Sequence, residues 1–233
     1  MATKVRWLGH AFFEITTQHD RTILIDPYIE ENPATPEGVI PDEANMILIT
    51  HDHFDHLESV ASLLGPEGII FAQPEIIAKI KNENPELEDS NFVNEGIGMN
   101  IGGTVEYEGI KITMVQAFHS SGVGNPAGFI IRLTDGKTIY YAGDTGVFSS
   151  MELFNELYDI NLALLPIGSV FTMDPAQASI ATRLLQPDIV IPMHYGTFPI
   201  LVDSADEFIE LVKNETPDTE VKPINPGESY LLK

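Results

Sequence analysis

Three of the seven histidines in this chain fall within six residues of one another, in the segment Thr50-His51-Asp52-His53-Phe54-Asp55-His56. This order, His-x-His-x-Asp-His, follows directly on an apolar run at 46–50. Imidazole and carboxylate groups together suit divalent metals such as zinc, manganese and iron. Three histidines and an alternate aspartate at this spacing are hard to obtain by chance on a polar loop. The segment therefore predicts a metal site just beyond the end of a strand.

Three later residues of ligand type share this local setting. His119, Asp144 and His194 each come just after an apolar run that is predicted to be a strand. Any one of them alone would be better explained as an ordinary turn or surface residue. Binding groups in α/β proteins collect beyond the carboxyl ends of strands. Ligand-type residues follow four separate predicted strands. We therefore predict that they form one shared metal centre.

The elements that must position these residues are short apolar runs punctuated by turn residues. Asp135-Gly136 lies between two such runs and is typical of a hairpin turn. The predicted strands are 5–8, 11–16, 22–25, 46–50, 68–72, 104–107, 110–118, 128–133, 137–142, 162–166, 189–193 and 229–232.

Helix signals are clearest in the second half of the chain. Asp174 is a predicted N-cap, with Pro175 at the first helical position and Gln177 three residues after the cap. Ser204 and Glu207 form a capping-box pattern before a second amphipathic segment. Further helices are predicted near 57–64, 74–81 and 149–157.

Strands and helices are interspersed over the whole length, and no linker interrupts them. This arrangement predicts one layered α/β domain spanning residues 1–233. The stretch 32–45 contains three prolines and is predicted to be a loop.

The charge balance excludes several classes of partner. The chain has 35 acidic and 12 basic side chains, a formal net charge of -23. Such a surface repels nucleic acid and anionic membranes, because both require Lys and Arg to neutralise phosphate. The absence of cysteine excludes disulfides, thiolate ligands and a cysteine nucleophile. No apolar stretch approaches ~20 residues, and residues 1–13 do not resemble a secretory signal, so we expect a cytoplasmic protein.

The order of ligand-type residues resembles that of the metallo-β-lactamase superfamily. The resemblance covers nearly the whole chain, up to His194. Three further motifs are similar to a branch of small metal-dependent hydrolases related to the L-ascorbate-6-phosphate lactonases: Trp7-Leu8-Gly9-His10, Phe171-Thr172-Met173-Asp174-Pro175 and Pro192-Met193-His194-Tyr195-Gly196-Thr197.

This resemblance implies a four-layer αββα sandwich of two mixed β-sheets flanked by helices, with the site at one edge between the sheets. It also implies two divalent metal ions. Zinc is the first candidate, and manganese, iron and nickel are the alternatives. In the implied assignment, Asp144 bridges the two ions. The first ion would be held by His51, His53 and His119, and the second by Asp55, His56 and His194.

The chemistry expected of such a site is hydrolysis. Two ions that share a water lower its pKa, and the bridging hydroxide is the expected nucleophile. A metal-bound water or Asp55 would deliver a proton to the leaving group, and His10 is a further candidate, although His10 could instead be a buried histidine that orients a metal ligand. We expect Asp26, at the end of another apolar run, to form hydrogen bonds without being a ligand.

Five residues near the ligands are candidate substrate contacts, although core packing is an equally ordinary role for the three that are purely apolar. They are Phe171, Met173, Tyr195, Thr197 and Phe198. Basic residues are scarce beside all of these motifs.

The expected activity is hydrolysis of a small ester, lactone or amide. The alternatives are a phosphodiesterase acting on a small or lipid phosphodiester, and a non-catalytic metal-binding protein. A β-lactamase would resemble this chain but carry a cysteine near Asp144, and a redox di-iron relative would carry a glutamate in place of His53. We expect a small-molecule substrate, no nucleic acid and no membrane as partners, and the sequence leaves homo-oligomerisation open.

Overall fold

The computed structural model describes residues 2–233 and contains two β-sheets with helices on their outer faces. The strands are β1 Thr3–Gly9, β2 Phe12–Thr16, β3 Thr22–Ile25, β4 Ala44–Leu48, β5 Leu64–Phe71, β6 Thr104–Tyr107, β7 Ile110–Gln116, β8 Ala127–Arg132, β9 Thr138–Tyr141, β10 Leu162–Pro166, β11 Ile189–Met193, β12 Glu220–Val221 and β13 Ser229–Leu232. The helices are α1 Phe54–Leu57, α2 Pro74–Glu83, α3 Met151–Leu157, α4 Pro175–Leu185 and α5 Asp206–Glu215, with a short 3-10 helix at Asp89–Asn91.

Both sheets are mixed. The first has the order β13-β1-β2-β3-β4-β5, in which β3, β4 and β5 run parallel and the other neighbours antiparallel. The second has the order β12-β11-β10-β9-β8-β7-β6, with parallel pairing from β9 to β12 and antiparallel pairing from β6 to β9. The carboxyl ends of the parallel strands in each sheet therefore share an edge.

The two sheets pack face to face, and helices cover the outer face of each. Because side chains alternate along a strand, Ile139 and Tyr141 enter the core between the sheets, whereas Tyr140 packs against the helices. Helices α3, α4 and α5 cover the second sheet, and α2 covers the first. The predicted αββα sandwich is confirmed.

The predicted elements agree with the structure at most positions. All twelve predicted strands are present, and Asp135-Gly136 turns the β8–β9 hairpin, with Gly136 at a φ of +87°. The side chain of Asp174 caps α4 by accepting from the Gln177 N–H at 2.8 Å, as predicted.

Two predictions of local structure were wrong, and one strand was not predicted. The helix predicted at 57–64 is instead the short α1, because Leu64 already begins β5. The capping box of Ser204 and Glu207 does not form, since α5 begins at Asp206 with Ala205 at its N-cap. The two-residue strand β12 was missed, because two residues are too short to carry an alternating pattern.

No helix within residues 2–233 is both long and apolar enough to span a membrane.

Candidate metal centre

The ends of several strands from both sheets meet at one edge of the sandwich. In the first sheet, β3 and β4 run parallel, and they are followed by Asp26 and by the histidine segment at 51–56. In the second sheet, Asp144 follows β9 and His194 follows β11. The sheets are joined here by direct hydrogen bonds, including one from the backbone N–H of His194 to the carbonyl oxygen of His10 at 3.0 Å. The site is therefore built by the interface between the sheets.

All seven residues predicted as metal ligands are brought together at this edge. The ligand atoms form three groups, each within 4.8 Å: His51, His53 and His119; His51, His56 and Asp144; and His10, Asp55, His56 and His194. The first of these groups, His51, His53 and His119, is called the first metal position below. The second metal position comprises Asp55, His56 and His194.

Asp144 lies between the two positions. Its Oδ2 atom is 3.1 Å from Nε2 of His194, 3.5 Å from Nε2 of His56 and 3.6 Å from Nε2 of His119. One carboxylate oxygen thus faces imidazoles of both positions. This is the arrangement required of a carboxylate that bridges two cations.

Two buried atoms at the centre test whether a cation fits. Within the described part of the chain, neither Nε2 of His56 nor Oδ1 of Asp144 has a hydrogen-bond partner. A buried polar atom without a partner is costly and calls for an explanation. A metal ion in contact with both residues would satisfy these atoms, and the mixture of imidazoles and carboxylates suits zinc and similar ions.

Asp26 supports histidines of both positions, directly for His56 and through Thr50 for His51. Its Oδ2 atom accepts from Nδ1 of His56 at 2.8 Å and from Oγ1 of Thr50 at 2.7 Å. The Thr50 hydroxyl uses its one O–H to donate to Asp26, so it accepts from Nδ1 of His51 at 2.9 Å. Both imidazoles therefore keep a proton on Nδ1, so Nε2 is the ring atom directed to the centre as a possible metal ligand. The hydrogen-bonding role predicted for Asp26 agrees with this geometry.

In the absence of metal, the centre holds a set of strongly perturbed groups. Burial, followed by the proximity of His56, holds the pKa of His51 well below its ordinary value. Burial also opposes the charged form of His56, but the carboxylates of Asp144 and Asp26 outweigh it and raise the pKa of His56 well above its ordinary value. Metal binding at the second position must therefore displace a proton from His56.

His10 is buried beside the second position. Its Nε2 atom lies 3.0 Å from Oδ2 of Asp55, and its ring centroid lies 3.9 Å from that of His194. Burial and the neighbouring His194 lower the pKa of His10 to about 4. The backbone of His10 has a φ of +54°, a strained conformation for a residue other than glycine. Because the ring is neutral, its Nε2–H donates to the Asp55 carboxylate.

A second hydrogen-bond network, which sequence reasoning missed, holds the loop after His119. Asp52 accepts from the hydroxyl of Ser121 at 2.7 Å and from the N–H of Gly122, and its Oδ2 atom is 3.0 Å from Nζ of Lys79. We call these four residues the Asp52 clamp. Asp52 lies between two predicted ligands in the sequence, yet its side chain turns away to join the His119 loop to α2.

The centre opens into a cavity of about 500 Å³. Of the five predicted substrate contacts, the structure places Phe171 and Phe198 on its wall. Two further apolar lining side chains, Phe54 and Ile200, were missed. Phe54 stands alone in the polar segment 51–56, whereas Ile200 begins a short apolar run at 200–202 that gives no sign of facing a cavity.

The other three predicted contacts lie elsewhere. Met173 is completely buried in the core between α4 and the second sheet. Tyr195 stacks on Trp7 with a centroid distance of 5.2 Å, and Thr197 is buried with its hydroxyl 3.4 Å from the Tyr195 carbonyl oxygen. Packing rather than substrate contact accounts for their positions.

Comparison with known proteins agrees with this geometry. The family model described as "Beta-lactamase superfamily domain" matches residues 21–195. The chain is 44% identical over 238 residues to a UPF0173 metal-dependent hydrolase of Nitratidesulfovibrio vulgaris strain DP4, covering 100% of this chain and 96% of the relative. It is 42% identical to a UPF0173 metal-dependent hydrolase of Methanosarcina mazei, with 98% of each chain covered.

Among solved structures, the fold is similar to that of Igni18, a metallo hydrolase from the hyperthermophilic archaeon Ignicoccus hospitalis. The TM-score is 0.86 at 33% identity, and the match covers 100% of this chain and 99% of the other.

Proposed function

Since the chain belongs to the metal-dependent hydrolases of the β-lactamase superfamily, we propose that it uses two divalent ions to hydrolyse a small ester, lactone or amide. Zinc is the first candidate for both ions. The observation that carries the proposal is the position of Asp144, whose Oδ2 atom faces Nε2 atoms of both metal positions. A single-ion site would not need a carboxylate between two groups of ligands. All seven ligand-type residues are present, which argues against a non-catalytic descendant.

The residues that hold the ions are those of the two positions, with Asp144 shared. A bound pair of divalent cations supplies Lewis acidity and lowers the pKa of water toward neutrality. Asp26 keeps His51 and His56 in the tautomer that presents Nε2 to the centre.

Asp55 is the residue that we assign to proton transfer. Its carboxylate lines the cavity, so it can reach a leaving group there. Burial opposes its charged form, but the hydrogen bond from His10 and the proximity of His56 and His10 together outweigh burial and lower the pKa of Asp55 below its ordinary value. An ionised Asp55 accepts a proton from the attacking water and returns it to the leaving group. His10 has committed its Nε2–H to Asp55, so we assign it a positioning role rather than proton delivery.

The experiment measures metal per chain by elemental analysis, on protein purified without chelator, together with turnover of p-nitrophenyl acetate, a γ-lactone and bis-p-nitrophenyl phosphate. The variants are His51→Ala combined with Asp144→Ala and, as a matched control, His19→Ala, which removes the one histidine outside the site. We expect close to two metals and ester or lactone turnover in the wild type and in the control. The double variant should lose both.

Two outcomes would contradict the proposal. A single metal in the wild type, unchanged by reconstitution, would replace the two-ion site by a mononuclear one. Two metals with turnover of the phosphodiester alone would replace carbonyl hydrolysis by phosphodiester cleavage.

A further inference from the structure

Four large apolar side chains surround the mouth of the cavity, and we call them the apolar rim: Phe54, Phe171, Phe198 and Ile200. Three of them are more than half exposed, at 58% for Phe54, 55% for Phe171 and 58% for Ile200. Scattered exposed apolar residues are normal, but a contiguous group around a concave site marks a binding surface. The rim lies directly beside the ligands, because the same cavity is lined by His53, His119 and His194.

The rim is assembled from three separate segments of the chain, so it does not follow from one local apolar run. Phe54 begins α1, Phe171 lies in the loop after β10, and Phe198 and Ile200 lie in the loop after β11. The ring of Phe54 packs edge-on against Tyr28 at 5.8 Å, and that of Phe198 against His10 at 5.3 Å. These two rings are therefore held in place by residues at the site.

The backbone next to Phe171 is strained. Ser169 and Val170 both adopt left-handed conformations, with φ values of +63° and +48°. A β-branched residue such as Val170 rarely adopts this conformation, and strain of this kind is concentrated at functional sites. Here the two strained residues directly precede Phe171, whose side chain lies at the cavity mouth.

The cavity wall offers no basic side chain to an anionic group. Among residues 2–233, no Lys or Arg lines the cavity. The basic group of Lys79, in α2 close to Phe54, is engaged by the Asp52 clamp. A phosphate on the substrate would therefore have no cationic side chain to bind at the cavity mouth.

From these observations we propose that the apolar rim binds an uncharged alkyl or aryl group of the substrate, so that the substrate is a lipophilic ester, lactone or amide without phosphate. This inference rests on the proposed function and names its substrate class. The carbonyl group would lie at the metal centre and the apolar group against Phe54, Phe171, Phe198 and Ile200. A cavity of about 500 Å³ is in the range of small-molecule sites.

The test uses a series of p-nitrophenyl esters from acetate to octanoate, hydrolysed to the carboxylic acid and p-nitrophenol by the metal-loaded enzyme. Burial of each added methylene should raise kcat/KM by about 2- to 4-fold until the rim is covered. Phe171→Ser combined with Ile200→Ser should reduce this increase to less than about 1.5-fold per methylene, with metal content unchanged. Phe171→Leu, which keeps an apolar side chain, should retain most of the dependence. Ile40→Ser, at a residue that is 75% exposed but does not line the cavity, is the matched control.

A second measurement separates this inference from the proposed function. Calorimetric binding of methyl ketones with increasing alkyl length needs no turnover, and we expect affinity to rise with chain length in the wild type but not in the double serine variant. If the ketones show this trend while no ester is hydrolysed, the rim proposal is supported and the proposed hydrolysis is contradicted. If esters of all lengths are hydrolysed equally well, or if the serine variants leave the chain-length dependence intact, the rim proposal is overturned and hydrolysis stands. Absence of both trends overturns the rim proposal, as does preferential cleavage of a phosphorylated ester.

Discussion

The two metal positions are supported by different parts of the molecule. In the second position, His56 is fully buried and held directly by Asp26, and Asp55 is held by His10. In the first position, His53 and His119 are partly exposed, and the loop of His119 depends on the Asp52 clamp. The second position is thus fixed by the sheet interior, and the first by a network that joins two loops and a helix.

The difference indicates where each position is vulnerable. His51 belongs to the first position, but it is held by a chain of buried hydrogen bonds that runs through Thr50 to Asp26. Asp26 is consequently the one supporting residue whose loss should weaken both positions. His10 should act on the second position and the Asp52 clamp on the first, so substitutions at these sites can separate the two.

The largest effect is expected for Asp26→Asn. In the aspartate, Oδ2 accepts from Nδ1 of His56 and from the hydroxyls of Thr50 and Tyr141, and Oδ1 accepts from the Thr50 N–H. An asparagine has the same size but replaces one of these oxygens by an NH2 donor, so at least one of these hydrogen bonds is lost. We expect metal affinity to fall by about 10- to 100-fold at the second position and by a smaller factor at the first, with a loss of about 1–3 kcal/mol in the free energy of unfolding. Calorimetric metal titration and denaturant unfolding in chelator measure the two effects.

Asp20→Asn is the matched control for this substitution, because Asp20 is an exposed turn residue whose left-handed backbone an asparagine also tolerates. Wild-type affinity at both positions in Asp26→Asn would show that the hydrogen bonds of Asp26 do not organise the centre.

The next effect concerns His10 and the pH dependence of stability in metal-free protein. Burial lowers the pKa of folded His10 to about 4, whereas an unfolded histidine titrates near about 6.5. Between these values the unfolded chain binds the extra proton, so the contribution of His10 is fully present above about pH 6.5 and is lost as the pH falls toward 4. His51 and His119, whose pKa values are also lowered, act in the same direction, and His56 acts in the opposite one.

Comparison of the wild type with His10→Gln isolates this residue. We expect the slope of unfolding free energy against pH, between pH 4.5 and 6, to fall by up to about 1.4 kcal/mol per pH unit in the variant. Urea unfolding at several pH values in chelator provides the measurement. Parallel curves for the two proteins would mean that His10 is protonated in the fold, in conflict with its donation of a single proton to Asp55.

A smaller and more selective effect is expected for Lys79→Met and Asp52→Asn. Both release the His119 loop from α2, so the first position should lose about 10-fold in metal affinity while the second keeps its own. A two-step metal titration resolves the two positions. Lys81→Met is the matched control, since Lys81 lies on the same helix in an exposed ion pair with Asp89. An equal loss at both positions would show that the clamp supports the fold as a whole.

The convergence of the seven ligand-type residues on one edge could be predicted from the sequence, and the physical reason is local. A strand can be recognised as an apolar run in the sequence. A polar residue that directly follows such a run lies at an edge of the sheet, independently of how distant segments pack. His119, Asp144 and His194 were found in this way. A hydrogen-bonding role for Asp26 could also be anticipated, because Asp26 ends a strand of the same kind.

The supports of the first position could not be predicted, because they depend on how distant segments pack. Nothing in the sequence connects Asp52 with Ser121 or Lys79, and the apolar rim combines Phe54 with residues more than a hundred positions away. Met173 illustrates the opposite error. It lies two residues from Phe171 in a motif near the site, but the chain turns between them, so Met173 enters the helix-covered core while Phe171 faces the cavity.

The smallest effects lie in the helices far from both positions, where Asp174→Ala and Ser204→Ala form a matched pair. Asp174 accepts from the Gln177 N–H at the start of α4, so its loss should cost about 1 kcal/mol of unfolding free energy. Ser204 lies before α5 but caps no N3 amide, and its contacts to Asp206 are exposed, so its loss should stay within about 0.5 kcal/mol. Urea denaturation of both variants, with metal content unchanged, measures the difference. Equal losses would mean that α5 gains a cap from Ser204 after all, and a loss of metal in Asp174→Ala would show that α4, which follows the loop of Phe171, helps to hold the centre itself.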